Sequence, residues 1–325
     1  MITASWLMIL LGIFITAAAR ELRADTAAAR YRQRRNEAIY AAQGAVAYLV
    51  DEIARDNHDR VTSRFDLYGR VGLPSDADFS RFDDSVSVGM NIYGEREGFG
   101  PGDEESKINL NALSAQNYSI LTYLLVGQGL NEEQAVRIAR AIVDWRDENS
   151  NSLNPAYHSE EEDDWKFSPK NNAYESIEEI LLVQGVTPEI FEKIAPLITV
   201  FPRKGSFRIN LNTASEEAVA AVAKHFCGPS NNTTESDAES LAEKIVRYRS
   251  GPDGIPATND DQPVKIRELA LNKKERVIAA AVFAVHTPVS KYISFLVRVR
   301  RSGVSMRLAA VVDRDSLDLL YWRRE

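Results

Sequence analysis

The first nineteen residues, MITASWLMILLGIFITAAA, carry no charge and are apolar almost throughout. At 1.5 Å per helical residue they reach nearly the ~30 Å of a bilayer's hydrocarbon core, which predicts a membrane helix over residues 2–19. A cleaved secretory signal would need a basic segment ahead of the apolar run, and none precedes it. Further on, Ile39, Ala42, Val46, Leu49, Val50 and Ile53 recur at spacings of three and four, with Gln43, Asp51, Glu52 and Arg55 between them. One long helix over residues 2 to about 56 is expected, embedded in lipid at its start and amphipathic at its end. Its apolar stripe needs a partner surface, and a sheet is the expected one.

Between about residues 61 and 108 the pattern changes. SVSVGMNIYG alternates and is rich in β-branched and aromatic residues, and GEREGFGPGDEES is acidic and turn-forming, so strands and turns are predicted. Helical periodicity takes over from about residue 109 to 285. The tail alternates again: Ile293, Phe295, Val297 and Val299 share one face, Arg298 and Arg300 the other, and Ser302-Gly303 turn the chain into the apolar run from Met306 to Val312. A terminal antiparallel meander over residues 292–322 follows. Strands and helices that segregate in this way predict an α+β fold with a helical block inserted into a sheet domain. The expected parts are residues 1–60, the membrane and amphipathic helix; 61–108, the first part of the β domain; 109–285, the helical insert; and 286–325, the closing strands.

One phrase is written twice, INLNAL from Ile108 and INLNTA from Ile209. In each copy a polar residue can cap the helix that follows, Asn111 or Ser114 in the first and Asn212 or Thr213 in the second, and Glu216 stands at capping-box spacing from Thr213. A second helix then ends in an arginine-bearing turn, AIVDWRD or IVRYRS, so a helical hairpin is used twice. A fainter echo links SIEEILLVQGV with KIRELALNKKE. DNA-gripping hairpins join their helices with a Gly-hydrophobic-Gly turn whose N–H groups hold a phosphate. Neither copy has that turn, and acids stand in its place, so packing or protein contact is the favoured role.

Composition narrows the choice. The chain has 325 residues, is 44% hydrophobic and 26% charged, and carries a net charge of −8, which repels nucleic acid at long range. Cys227 is the only cysteine, so neither an internal disulfide nor a thiolate metal cluster is available. His58, His158, His225 and His286 have no metal-ligand spacing. No nucleophile elbow, P-loop, zinc signature or dinucleotide fingerprint is written in the chain, and catalysis is not expected. Arg20, Arg23, Arg30, Arg32, Arg34 and Arg35 face only Glu21 and Asp25 beside the apolar run. Taken alone, they place that side of a membrane in the cytoplasm.

Asp147, Asn149 and Asn151, followed by Glu160, Glu161, Glu162, Asp163 and Asp164, offer hard oxygen ligands from two ends of one loop, which suits Ca²⁺. The register is not that of an EF-hand, because Ser152 takes the place of the obligatory glycine and His158 that of the terminal glutamate. A second oxygen-rich loop holds Asp253, Asn259, Asp260 and Asp261.

In order along the chain come the apolar helix running into an amphipathic one, ESKINLN after a β segment, AIVDWRDEN, EEEDDW, KNNAYESIEEILLVQGV, RINLNTA and the terminal SFLVRVR. That order resembles the GspK family of type II secretion system minor pseudopilins over nearly the whole chain. The resemblance implies a pilin-like long helix on an antiparallel sheet, with a large inserted α-helical domain of helix-hairpin-helix or SAM-like type. It also implies anchorage in the bacterial inner membrane with the bulk in the periplasm, against the orientation the arginines give alone, and a pseudopilus tip shared with minor pseudopilins I and J. The family's cap lacks an early glutamate, and this chain has no acid before Glu21. A short basic leader ending in glycine, removed by a prepilin peptidase, does not precede the apolar run, and Gly12 lies too deep to be that site. The expectation is a start that is incomplete or already processed. Carried over from the family, the calcium ligands fall on Asp147, Asn149, Glu162 and Asp163. The rival readings are a membrane-tethered helix-hairpin-helix DNA-binding protein and a type IV pilus-like minor pilin.

Overall fold

The computed structural model describes residues 2–55, 86–89, 102–147, 153, 169–256, 258, 260–301 and 303–324. The N-terminal helix α1 runs unbroken over Ile2–Arg55. No proline interrupts it, and its many alanines favour the helix. Its apolar start, residues 2–19, is largely exposed, while Ala38, Ala42, Ala45, Leu49 and Ile53 are buried at its far end. The buried stripe is centred on alanines, with Ile39 and Val50 only at its border. Small side chains at the contact let the helix axis approach the sheet, a preference that hydrophobic spacing alone does not reveal.

The sheet is antiparallel, in the order β1-β5-β6-β7, with β1 (Val86–Gly89) and β2 (Gly102–Asp103) sharing one edge of β5. β5 (Tyr292–Arg301) and β6 (Val304–Asp313) form a hairpin that pairs Phe295 with Ala310 and Val299 with Met306, and β7 (Leu319–Arg324) closes the other edge. Alternation works as the sequence predicts. Ile293, Phe295, Val297 and Val299 of β5, with Met306, Leu308, Ala310 and Val312 of β6, bury one face against α1. On the opposite face Ser305 and Arg307 are exposed, but Ala309 and Val311 are buried, and Val311 belongs to the core of the helical insert. Of the expected strand region from residue 61 to 108, residues 61–85 and 90–101 lie outside the described residues.

Between β2 and β5 the chain builds the insert around a core of its own. α2 (Ser119–Gly127) and α3 (Glu132–Arg146) form one hairpin, and α5 (Glu216–His225) and α6 (Glu235–Arg249) form the other; α2 and α5 pack together. α4 (Pro188–Ile194) and α7 (Lys273–Ala284) complete it. Two features depart from a purely helical reading. SIEEILLVQGV forms a 3₁₀ helix over Ile177–Leu182 in place of an α-helix: a Ser176–Glu179 capping box opens it, and Gly185, at φ +86, ends the segment. A parallel pair, β3 (Ile108–Asn109) and β4 (Ile198–Thr199), sits inside the helical block.

Candidate assembly site

The exposed half of α1 presents Trp6, Leu7, Met8, Ile9, Leu10, Leu11, Ile13, Phe14 and Ile15 to the surroundings. An apolar surface of this size needs lipid or other helices against it. Among the described residues it is the helix long and apolar enough to cross a membrane.

The repeated phrase has a different job from the one its spacing predicts. Neither Asn212 nor Thr213 caps α5; Ser215 does, accepting from Ala218 N at 3.1 Å, and no capping box involves Glu216. Neither Asn111 nor Ser114 caps α2, which starts after Tyr118 without a side-chain cap. The asparagines are instead buried and hold backbone from distant segments. In each copy the first asparagine accepts from the N–H of the second, Asn111 N to Asn109 Oδ1 at 2.9 Å and Asn212 N to Asn210 Oδ1 at 3.0 Å. In each copy the second then accepts a remote N–H, from Tyr174 or from Val264, both at 2.8 Å. Each phrase begins with a parallel pairing, Ile108 with Ile198 and Ile209 with His286. Each hairpin ends by returning an arginine to the phrase: Arg146 donates to Leu113 O at 2.5 Å and Arg249 to Leu211 O at 2.6 Å. The insert is therefore one unit built twice.

The copies are unequally satisfied. Asn111 also donates to Tyr174 O at 2.9 Å and Val200 O at 2.8 Å, whereas Asn212 Nδ2 is enclosed without a partner. Losing a buried partner costs about 1–3 kcal/mol per stranded group. Asn111→Ala is expected to cost about 3 kcal/mol and Asn212→Ala about 1 kcal/mol, as read by urea denaturation; equal losses would contradict this division of labour.

At the helix N-termini where a DNA phosphate would sit, the structure places Glu132 and Glu133 on α3 and Glu235 and Asp237 on α6, which disfavours that ligand.

The two crossings between sheet and insert are clamped by acids. Asp103 is buried and accepts from Glu105 N at 2.8 Å, Asn210 Nδ2 at 3.1 Å, Ser290 Oγ at 2.6 Å and the Thr213 hydroxyl. Burial raises its pKa, against those four hydrogen bonds. Glu105 accepts from Lys291 N, joining the entry crossing to the exit. Burial, and then the Asp103 charge, push Glu105 up to about 7 against the pull of the Lys291 and Tyr292 N–H groups. An unfolded chain releases this proton near 4.5, so the contribution of Glu105 to stability is fully present below pH 4.5 and is lost as the pH rises through 7. Measured against Glu105→Gln, the parent protein is expected to lose about 3 kcal/mol of unfolding free energy over that window. Parallel pH profiles for the two would refute the assignment. GDEES reads as a solvated turn, and no signal in the sequence marks it as this junction.

Of the expected calcium ligands the structure describes Asp147, which closes α3 by donating its N–H to Val143 O at 3.2 Å. Asn149, Glu162 and Asp163 lie outside the described residues. In the second oxygen-rich loop Asp260 accepts from Asp253 N at 3.2 Å and from Thr258 Oγ1 at 2.5 Å, and Asn259 lies outside the described residues. Among the described residues no three His, Cys, Asp or Glu side chains converge as a metal site.

Residues 106–203, which hold the first asparagine unit through to β4, match the family described as type II secretion system, protein K. That match spans 98 of the 325 residues. The protein K of Dickeya chrysanthemi is 27% identical over 142 residues, 43% of this chain and 37% of that relative. The chain thus matches well under two thirds of the length of its protein K relative. In fold, it superposes on a chain of the GspK-GspI-GspJ complex from the enterotoxigenic Escherichia coli type 2 secretion system with a TM-score of 0.61. That likeness covers 91% of this chain and 98% of the other at 13% identity, so it speaks to the fold alone.

Proposed function

We propose that this chain is a protein K of a type II secretion system, a minor pseudopilin assembling with I-type and J-type minor pseudopilins at the tip of a pseudopilus and supporting protein export across the outer membrane. Residues 2–19 would lie in the inner membrane and the bulk of the chain in the periplasm. The observation that carries this reading is α1: one helix whose residues 2–19 are apolar and largely exposed and whose far end, from Ala38 on, is built into the sheet that carries the insert. Such a helix can leave lipid for a bundle of like helices without refolding the domain behind it. The work is assembly through surfaces and not catalysis. The decisive experiment is coexpression of the full chain with I-type and J-type minor pseudopilins and purification in mild detergent. A stable ternary complex is expected, and a folded chain that recovers neither partner would refute the reading. A salt-dependent shift of a DNA probe by the folded chain would favour the DNA-binding alternative.

Calcium is part of the same proposal. The ligand set Asp147, Asn149, Glu162 and Asp163 is all oxygen, which fits a hard dication, and Asp147 caps the C-terminal end of α3. Bound ion would hold the two ends of the acidic loop together. With calcium a hundredfold above its Kd the folded state gains about 2.7 kcal/mol. Chelation should lower the thermal midpoint correspondingly, and an unchanged midpoint without calcium uptake would remove the site.

A further inference from the structure

The two copies of the asparagine unit differ in what lies at the end of their second helix. In the second copy α6 ends in Arg249, only 4% exposed, and the chain turns back at once. Gln262 donates its N–H to Arg249 O at 3.0 Å and its side chain to Tyr248 O at 3.1 Å. The turn is tight enough that a Cβ on Gly251 would lie 2.5 Å from the Asp260 carbonyl oxygen. The ground beside that helix end is thus held by a short segment carrying Asp253, Asp260 and Asp261.

In the first copy the matching elements are present: Arg146 ends α3, reaches the Leu113 carbonyl, and Asn171 returns to Trp145 O at 2.9 Å. Here the ground is a cavity of about 380 Å³, lined by Arg146, Arg203, Lys204, Asp147, Asn111 and Asn172 among others. Three cations meet one carboxylate in a molecule of net charge −8. Among the described residues Arg203 and Lys204 make no ion pair or hydrogen bond. Arg146 uses one terminal nitrogen, for Leu113 O, and its Nε is enclosed without a partner.

We propose that this cavity binds a carboxylate. Two guanidinium groups and an ammonium at one opening give charge-assisted donors, and the planar fork of arginine matches a carboxylate in two parallel hydrogen bonds. The volume lies at the small end for ligand sites, enough for one or two acidic side chains or a small dicarboxylate. In the second copy the matching ground is closed by the chain itself, through Gln262 on Arg249 O and Tyr248 O, so an open, cationic counterpart is peculiar to the first copy. The carboxylate comes from an acidic polypeptide or from a free dicarboxylate, and the test separates them.

The full chain in uncharged detergent is titrated calorimetrically at low ionic strength with a penta-glutamate peptide, with succinate and with inorganic phosphate. Saturable one-site binding of the peptide or of succinate is expected. It should weaken at least about tenfold in the double variant Arg203→Ala, Lys204→Ala, whose exposed positions leave circular dichroism and thermal midpoint unchanged. Tighter binding of the peptide identifies a polypeptide as the source, and binding of succinate as tight or tighter identifies a free dicarboxylate. No saturable binding, binding that the double variant retains, or a preference for phosphate over both carboxylates overturns the proposal.

Discussion

Phe295→Ala is expected to lower the unfolding free energy of the protein by about 4 kcal/mol, the largest loss of any single substitution considered. Phe295 is fully buried on β5, in the same cluster as Ala42, Leu49 and Ile53 of α1 and Ala310 and Val312 of β6. Deleting its ring removes apolar area and leaves a void, because the alanines of α1 are too small to refill it. The loss should appear as a fall in the urea midpoint, with α1 released from the sheet while the insert, which has a separate core, keeps its helical signal. A loss under about 1 kcal/mol would mean that α1 does not depend on this face of the sheet.

Asp103→Ala should cost about 3 kcal/mol. The carboxylate organises four donors, from Glu105, Asn210, Thr213 and Ser290, which come from the entry crossing, the second asparagine unit and the exit crossing. Removing the acceptor strands hydrogen-bond donors in a buried place, and relief from desolving the carboxylate offsets part of that cost. Asp103→Asn does not restore stability, because one oxygen becomes a donor facing other donors. Both variants should loosen the insert relative to the sheet, seen as faster amide exchange at Lys291 and Tyr292. Stability equal to the parent in either variant would show that the clamp is dispensable.

Which features could be read from the chain alone follows from how far each signal reaches. α1 was legible because a charge-free run and a three-four spacing are properties of consecutive residues with no proline among them. The β5–β6 hairpin was legible for the same reason, since Ile293, Phe295, Val297 and Val299 fall on every second position, with Arg298 and Arg300 on the other face, and Gly303 marks the turn. The parallel pair β3–β4 was not, because two residues per strand carry no period and the partners stand far apart in sequence. The asparagines of the repeated phrase looked like caps because caps are their commonest local use; their burial against Tyr174, Val200 and Val264 is settled by packing that no local pattern encodes. The duplication itself was visible, but its meaning appeared only when Arg146 and Arg249 were seen to return to their own copies, Arg146 to the last residue of the phrase, Leu113, and Arg249 to the third, Leu211. The junction acids were concealed by their company, since Asp103 and Glu105 sit in a stretch whose composition suggests exposure.

The central structural claim is that Ile2–Arg55 is one rod, exposed and apolar at one end and fixed to the sheet at the other. Its most direct test is a distance between spin labels at Ala17→Cys and Asp51→Cys, placed in a Cys227→Ser background in the full chain in detergent micelles. At 1.5 Å per residue a continuous helix predicts a narrow distribution centred near about 51 Å. A broad distribution, or one centred well below that distance, would show the rod to be broken and would contradict the account.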